Sequence, residues 1–372
     1  IIMLILAGVS IKLAIDNNGV IENAKEAKDQ YEQAQANDES GLGDLASKLK
    51  EQLDANKDRS ENITRIDGVP IPAGYYYVGG TKAKGLVISD DVADKELDKG
   101  KEDVRRDLAG NQWVWVPIET PSSLYTTVTE GVELSGDTGA KTTKYTNTII
   151  SSQTRGLPGS TNYREPDILT YSGRDDTNYA TAGFSSLANM VENMKSDYEE
   201  MIASLEKYKG FYIGRYELTA NGEKTGATQT NVNWYTLYAN CKKWAKKGTN
   251  VKTRMIWGLQ WDATCKWLAT SNFDITDSNK WGNYKDNFSN GYGGSLQNTG
   301  FSENWKANNI YDFAGNCFEY TQEASFTTDR AYRGGYYDSY GCYNPASFRN
   351  DYGGPTRTDS GFGSRPTLYL IP

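Results

Sequence analysis

The sequence contains no histidine. This absence excludes Ser-His-Asp and Cys-His nucleophile systems, metal sites with histidine ligands, and the usual general base near neutral pH. Carboxylate and calcium chemistry remain open. Cysteine is scarce as well, and the spacings of the four cysteines fit no zinc site. They form disulfides or are small buried hydrophobic residues, and they lie at Cys241, Cys265, Cys317 and Cys342.

The chain has too few basic residues to favour nucleic acid as a partner. Its 40 Lys and Arg are outnumbered by 48 Asp and Glu, which gives a net charge of −8. Phosphate neutralisation needs clustered Lys and Arg, so we expect no nucleic-acid partner. The length of 372 residues and the 37% hydrophobic content allow one large domain with accessory segments, or two domains.

A third absence is local to the end of the chain. After Glu323 there is no Glu, Lys, Gln, Met or Trp through to Pro372. Tyr, Asp, Ser, Gly, Asn, Phe, Arg and Thr fill the stretch instead. Tyr supplies rigid amphipathic contact area, and Ser, Gly and Asn supply adaptable hydrogen bonds, so this composition is typical of a binding surface. A Gly-rich β-hairpin region is the alternative.

No apolar run is long enough to span a bilayer. Ile1–Ile15 is apolar, but a spanning helix needs about 20 such residues. The run starts without an initiator Met, so we expect the natural chain to begin upstream. Residues 1–57 are predicted to form an N-terminal helix and polar stalk, and residues 58–68 a linker. The alternatives are the remnant of a signal anchor or lipid-facing helix, and a buried helix of a cytoplasmic domain.

The remainder, residues 69–372, is predicted to be one α+β domain of short strands, a few helices and long loops. Residues 120–209 form an insert, which ends in a helix from Asn189 to Lys209 whose Met and aromatic stripe indicates core packing. Further helices are predicted over Trp234–Lys247 and Gly258–Ala269. Strands are predicted at Tyr75–Val78, Gln112–Val116 and Gly210–Glu217.

The N-terminal segment resembles the first helix of type IV pilin-like proteins of Gram-positive bacteria. The resemblance rests on the Leu4–Ile11 run and on Asn18-Gly19-Val20-Ile21 leading into Ala24–Ala27. It implies an exported chain, membrane-inserted before assembly and later packed against other pilin subunits in a filament. The residues implied in assembly are Ile1, Leu4, Leu6, Val9 and Leu13.

The larger domain resembles the formylglycine-generating-enzyme-like branch of the C-type lectin fold. The strongest match is Asn309–Tyr320, similar to the family pattern Gly-Leu-Tyr-Asp-Met-Ala-Gly-Asn-Val-Trp-Glu-Trp. Other segments follow in the family's order: Pro72–Tyr75, Glu217–Thr219, Val232–Trp234, Arg254–Trp261, Arg333–Gly335 and Gly363–Arg365. Ser364 stands where the family usually has Phe.

The oxidase activity of that family does not follow from the resemblance. The family's enzymes use a copper-binding cysteine pair shortly after Arg-Gly-Gly, whereas this chain offers only Cys342 there. A single thiol cannot supply a two-thiolate site for a soft metal. We therefore expect no catalysis.

The resemblance extends to lectin-fold proteins diversified by retroelements. Asn codons altered at their first two bases never yield Lys, Glu, Gln, Met or Trp, the five types missing after Glu323. Residues 333–365 are thus expected to face a protein or glycan ligand. The expected ligand-binding residues are Tyr336, Tyr337, Asp338, Ser339, Tyr340, Tyr343, Asn350, Asp351, Tyr352, Thr358, Asp359 and Phe362.

Calcium is a candidate cofactor. Relatives hold calcium with side chains at the positions of Asp312 and Glu319, and hard oxygen ligands suit that ion. The alternative is that Asp312 caps a turn and Glu319 pairs locally. Trp261, Gly315, Asn316, Arg333 and Gly334 are expected to form the internal scaffold.

Three functions follow, in order of preference. The first is a non-enzymatic adhesin or receptor, displayed on the cell surface or a pilus, with a diversified C-terminal face. The second is a major structural pilin with a decorative globular domain. The third is a copper oxidase of the formylglycine-generating type.

Overall fold

The structure is a computed structural model. It describes Lys28 and residues 63–121, 177–287, 294–325, 329–351 and 354–372, with the backbone alone of short strands at 125–128, 144–147 and 163–164. The chain divides into two units, Ile1–Asn62 and Ile63–Pro372. The predicted assembly residues Ile1 to Leu13, and Tyr352, lie outside the described residues. No described helix is both long enough and apolar enough to cross a membrane.

Seventeen strands are described. In chain order they are β1 Thr64–Ile66, β2 Val69–Ile71, β3 Tyr76–Gly79, β4 Val87–Ser89, β5 Gln112–Pro117, β6 Tyr125–Val128, β7 Lys144–Asn147, β8 Tyr163–Arg164, β9 Gly210–Gly214, β10 Val251–Met255, β11 Lys306–Ala307, β12 Ile310–Tyr311, β13 Phe318–Ser325, β14 Asp329–Arg333, β15 Arg349–Asn350, β16 Phe362–Ser364 and β17 Pro366–Leu370. The helices are α1 Leu187–Tyr208, α2 Trp234–Cys241 and α3 Gly258–Thr270, with 3₁₀ turns at Val92–Asp94 and Glu303–Trp305. The predicted α+β class is confirmed for this part of the chain.

The main sheet has six antiparallel strands in the order β10-β17-β9-β5-β4-β3. Its central strands β5, β9 and β17 are almost entirely buried. The last strand, β17, lies between β9 and β10, so the end of the chain pairs with strands from its middle. Separately, β1 and β2 pair as a hairpin, so residues 63–68 of the predicted linker lie within the second unit.

A second sheet carries the region of interest. Its order is β15-β14-β13-β16, with β13 antiparallel to β14 and parallel to β16. The backbone of β8, from the predicted insert, pairs with Ala324 and Ser325 of β13. The predicted insert thus contributes a strand to this sheet.

The helices pack on these sheets through apolar stripes. In α1 the buried positions include Met190, Met194, Tyr198 and Met201, which confirms the predicted core stripe. The predicted extension of α2 to Lys247 is wrong, because the helix ends at Cys241. The backbone N–H of Trp244 donates to Thr253 Oγ1 at 3.2 Å, so the chain has already turned towards β10.

Candidate ligand-binding surface

The loop between β14 and β15 begins at two glycines that no other residue would replace easily. Gly334 and Gly335 have φ angles of 86° and 76°, a region that L side chains rarely adopt. A Cβ on Gly335 would lie 2.1 Å from the carbonyl oxygen of Asn344, at the far side of the loop. The backbone at Gly335 therefore lies so close to the backbone at Asn344 that no side chain fits between them.

Backbone hydrogen bonds fix this loop on the segment from Ser278 to Asp286. Ser278 N–H donates to the Gly341 carbonyl, and Lys285 N–H donates to the Ser339 carbonyl, each at 3.1 Å. Gly341 N–H in turn donates to Asp286 Oδ1 at 3.1 Å. The loop is thus held by a neighbouring segment that lies outside the predicted binding region.

Two tyrosines at the crest of the loop are open to solvent. Tyr340 and Tyr343 expose 46% and 66% of their surface, the only tyrosines among the described large exposed hydrophobic residues. Their rings meet edge to face at 5.8 Å, a favourable aromatic geometry. Lys285 Nζ lies 3.5 Å from Asp338 Oδ1. We define the tyrosine surface as Tyr336, Tyr337, Asp338, Tyr340 and Tyr343.

The tyrosine surface is connected to the core by Tyr336. Its ring stacks on Phe318 at 4.7 Å and meets Tyr337 edge to face at 5.2 Å. Tyr337 N–H donates to the Asn316 carbonyl at 3.0 Å. Desolvation raises the pKa of Tyr336 above its ordinary value. The structure therefore brings these predicted residues together on a supported base.

Two predicted ligand residues are not available to a ligand. Ser339 is buried at 5% exposure and Phe362 at 4%. The Phe362 ring contacts Tyr332 at 4.9 Å and Tyr320 at 5.2 Å, because β16 pairs in parallel with β13 and turns this side chain inward. Phe362 is a core residue, and its assignment to the ligand face is corrected.

The other predicted residues lie beyond the loop between β14 and β15. Asn350 ends the edge strand β15 and Asp351 follows it, both half-buried, and Thr358 is exposed. Asp359 accepts a hydrogen bond from Gly361 N–H at 2.8 Å and from Arg357 at 2.7 Å, which together hold the pKa of its carboxyl below the usual range. Asp359 thus shapes its own turn.

A buried network of four charged side chains lies under β14 and β15. Asp262 accepts from Arg333 and, at 2.7 Å, from Arg349, while Glu323 Oε2 accepts from Arg349 at 3.0 Å. All four side chains are at most 2% exposed. Although burial alone would raise the pKa of Asp262, the two guanidinium groups hold it below its usual range. The predicted internal role of Arg333 is confirmed.

The remaining predicted scaffold residues are also internal. Trp261 stacks on Phe313 at 4.1 Å and donates to the Ala346 carbonyl at 2.8 Å. Gly315 N–H donates to the Gly334 carbonyl at 2.7 Å. Asn316 Oδ1 accepts from Asn283 at 2.8 Å and from Gln297 N–H at 3.1 Å. These contacts join the strongest sequence motif to the base of the loop.

Both predicted calcium ligands accept hydrogen bonds within the protein. Glu319 Oε1 and Oε2 accept from the guanidinium of Arg365 at 2.8 and 3.1 Å. Asp312 Oδ2 accepts from Thr299 Oγ1 at 2.9 Å and Gly300 N–H at 2.7 Å. Burial raises the pKa of Asp312 to about 6. Among the described residues no group of three or more metal-ligating side chains comes together.

The four cysteines are unpaired. Cys241, Cys265 and Cys317 are buried, and Cys342 is partly exposed. Desolvation raises the pKa of the Cys317 thiol well above its ordinary value. A buried neutral thiol is a weak nucleophile and a weak metal ligand.

Sequence reasoning missed Lys285, Asp262 and Glu323. All three lie outside the compositionally biased stretch after Glu323, and none belongs to a motif that carries the family resemblance. The only available signal was the number of arginines after Glu323, since buried guanidinium groups need acidic partners elsewhere in the chain.

No protein-family profile matches the chain. No curated protein matches it either. Among solved structures, Treponema denticola variable protein 1 is 18% identical with a TM-score of 0.32, over 44% of this chain and 85% of that one. PvdO from Pseudomonas aeruginosa is 16% identical with a TM-score of 0.32, over 44% and 82%. The Major Tropism Determinant M1 variant is 13% identical with a TM-score of 0.30, over 44% and 51%.

Proposed function

We propose that this chain is a non-enzymatic binding protein that presents the tyrosine surface to a protein or glycan ligand from a C-type lectin-fold domain. The observation that carries the proposal is the exposure of Tyr340 and Tyr343 on a loop whose base is buried and hydrogen-bonded. Rigid aromatic anchors dominate binding energies because little conformational entropy is lost when they are covered.

The contrast between the exposed side chains of the loop and its buried, hydrogen-bonded part supports diversification of the tyrosine surface. Side chains at Tyr337, Asp338, Tyr340 and Tyr343 are exposed or half-buried, so substitutions there leave the core packing unchanged. The chain would therefore keep its fold while its ligand preference changes. Export, and display through a pilin-like N-terminal helix, belong to the same proposal and rest on the sequence resemblance alone.

Sequencing of the locus across a population of the source organism tests diversification. We expect substitutions at the tyrosine surface and none at Arg333, Arg349 or Asp262. Substitutions spread evenly over the domain would contradict a diversified surface and leave a fixed adhesin or a structural pilin.

A binding experiment tests recognition itself. Beads coated with the full chain are offered to candidate host or neighbour cells, and adhesion is compared with beads carrying Tyr340→Ala plus Tyr343→Ala. The double variant should lose adhesion, while the matched surface variant Lys247→Ala should retain it. Adhesion of the double variant equal to that of the unmodified chain would place the binding site elsewhere.

The structural pilin is the second candidate, supported by the pilin-like N-terminal motif. Immuno-gold labelling of filaments separates the two: a major subunit labels the whole length of the filament, whereas a displayed binder labels sparsely. The oxidase is the third candidate. Copper-dependent activity that is lost in Cys342→Ser would establish it.

A further inference from the structure

A cleft of about 770 Å³ lies beside α3, away from the tyrosine surface. It is formed by the turn between β3 and β4, the end of β5 and the outer side of α3. None of the predicted ligand-binding residues that the structure describes lines it. Its volume falls within the range of small-molecule sites, roughly 300–1,000 Å³.

The floor of the cleft is apolar. Pro117 ends β5, Ile118 follows it, and Trp267 comes from α3. Ile118 and Trp267 are each only 7% exposed, so both side chains are held by the surrounding fold. An indole ring packs well against a flat or extended hydrocarbon group.

Three lysines reach the same cleft. Lys82 and Lys84 belong to the β3–β4 turn, and Lys266 to α3. Within the described part of the chain, none of their ammonium groups is in an ion pair or a hydrogen bond. Among the described residues that line the cleft, Glu119 is the single acidic one, so together they carry a net positive charge in a chain whose net charge is −8.

We propose that this cleft binds an organic anion with an apolar body, such as an aryl or acyl carboxylate. The apolar body would cover Trp267 and Ile118, and the anionic group would lie among the three lysines. An apolar pocket with a few convergent polar groups is the usual form of a small-molecule site. The inference concerns a second ligand and is independent of the function proposed for the tyrosine surface.

Titration of the full chain with 1-anilinonaphthalene-8-sulfonate, a fluorescent aromatic anion, tests the proposal. We expect saturable binding at one site. Lys82→Glu with Lys266→Glu should raise its Kd by about tenfold, because two attractions become repulsions. The matched control, Lys95→Glu with Lys247→Glu, changes two exposed lysines outside the cleft and should leave the Kd unchanged. Equal weakening in both pairs, or no saturable binding, overturns the proposal.

A second variant keeps the test decisive if charge reversal unfolds the protein. Thr270 is exposed and lines the cleft, so Thr270→Trp narrows the cleft without changing charge. It should weaken probe binding while the melting temperature stays within a few degrees of wild type. Undiminished binding to this folded variant overturns the proposal.

Displacement identifies the chemistry of the apolar body. Decanoate and 1-naphthoate are compared with decanol and 1-naphthalenemethanol as competitors for the probe. Displacement by either carboxylate at a concentration at least tenfold below that of its alcohol supports an anion site. The carboxylate that displaces the probe at the lower concentration shows whether the apolar body is acyl or aryl. Alcohols that compete as well as their carboxylates show a merely apolar patch and overturn it.

Discussion

The ammonium group of Lys285 lies 4.4 Å from the centre of the Tyr340 ring. The lysine belongs to the segment that holds the loop, and the tyrosine to the exposed crest. A cation over an aromatic face contributes about 0.5–1 kcal/mol at such sites. Lys285 therefore supplies a positive charge that stays the same while, as we propose, the residues of the neighbouring tyrosine surface change.

A double-mutant cycle measures this contact. Lys285→Ala, Tyr340→Leu and the double variant are unfolded in urea, and we expect a coupling energy of about 0.5 kcal/mol. The control cycle pairs Tyr340→Leu with Lys280→Ala and should give no coupling. Zero coupling in both cycles would mean that Lys285 does not support the ring in solution.

Gly335→Ala should destabilise the protein more than Gly248→Ala. The two glycines have φ angles of 76° and 77°, so each substitution carries a similar backbone strain of about 1–3 kcal/mol. Only at Gly335 would the new Cβ also meet a backbone oxygen, at 2.1 Å, since no atom lies within 4 Å at Gly248. Chemical denaturation should show the larger loss for Gly335→Ala; equal losses would refute the close approach.

Asp262→Asn should be among the most destabilising polar substitutions. It takes from the buried Arg333 and Arg349 a carboxylate that both contact, and breaking such a pair costs about 3–5 kcal/mol. Asp338→Asn is the control, since that carboxylate is 57% exposed and should change the free energy of unfolding by about 0.5 kcal/mol or less. Equal midpoints in urea for the two variants would contradict the buried network.

The stability of the protein should fall with rising pH because of Asp312. Its pKa is raised to about 6 in the folded chain, chiefly by burial, and is about 3.9 when unfolded. The folded state therefore holds a proton that the unfolded state releases. The contribution, about 3 kcal/mol, is complete below pH 4 and is lost as pH rises through 6.

Asp312→Asn isolates that effect. Asn tolerates the left-handed backbone of this position, where φ is 54°, and its amide cannot ionise. We expect the variant to lose less stability than wild type between pH 4 and pH 7 in thermal unfolding. Parallel pH profiles for the two proteins would show that Asp312 titrates normally.

The sequence predicted the helices better than their ends. The stripe of α1 was readable because its apolar residues repeat at helical spacing. The end of α2 was not, since the Lys-rich continuation suits a helix, whereas in the fold the backbone N–H of Trp244 donates to Thr253 in the next strand. Local patterns report propensity, whereas termination here depends on a tertiary contact.

The amino-acid sequence by itself determined the α+β class, the exclusion of histidine chemistry and the composition of the stretch after Glu323. Tertiary structure alone decided which residues of that stretch face solvent. Phe362 and Tyr343 belong to similar aromatic-rich stretches. The pairing of β16 with β13 buries Phe362, whereas Tyr343 is exposed on the loop that hydrogen bonds hold against residues 278–286. Burial depends on strand register and long-range contacts, which composition does not encode.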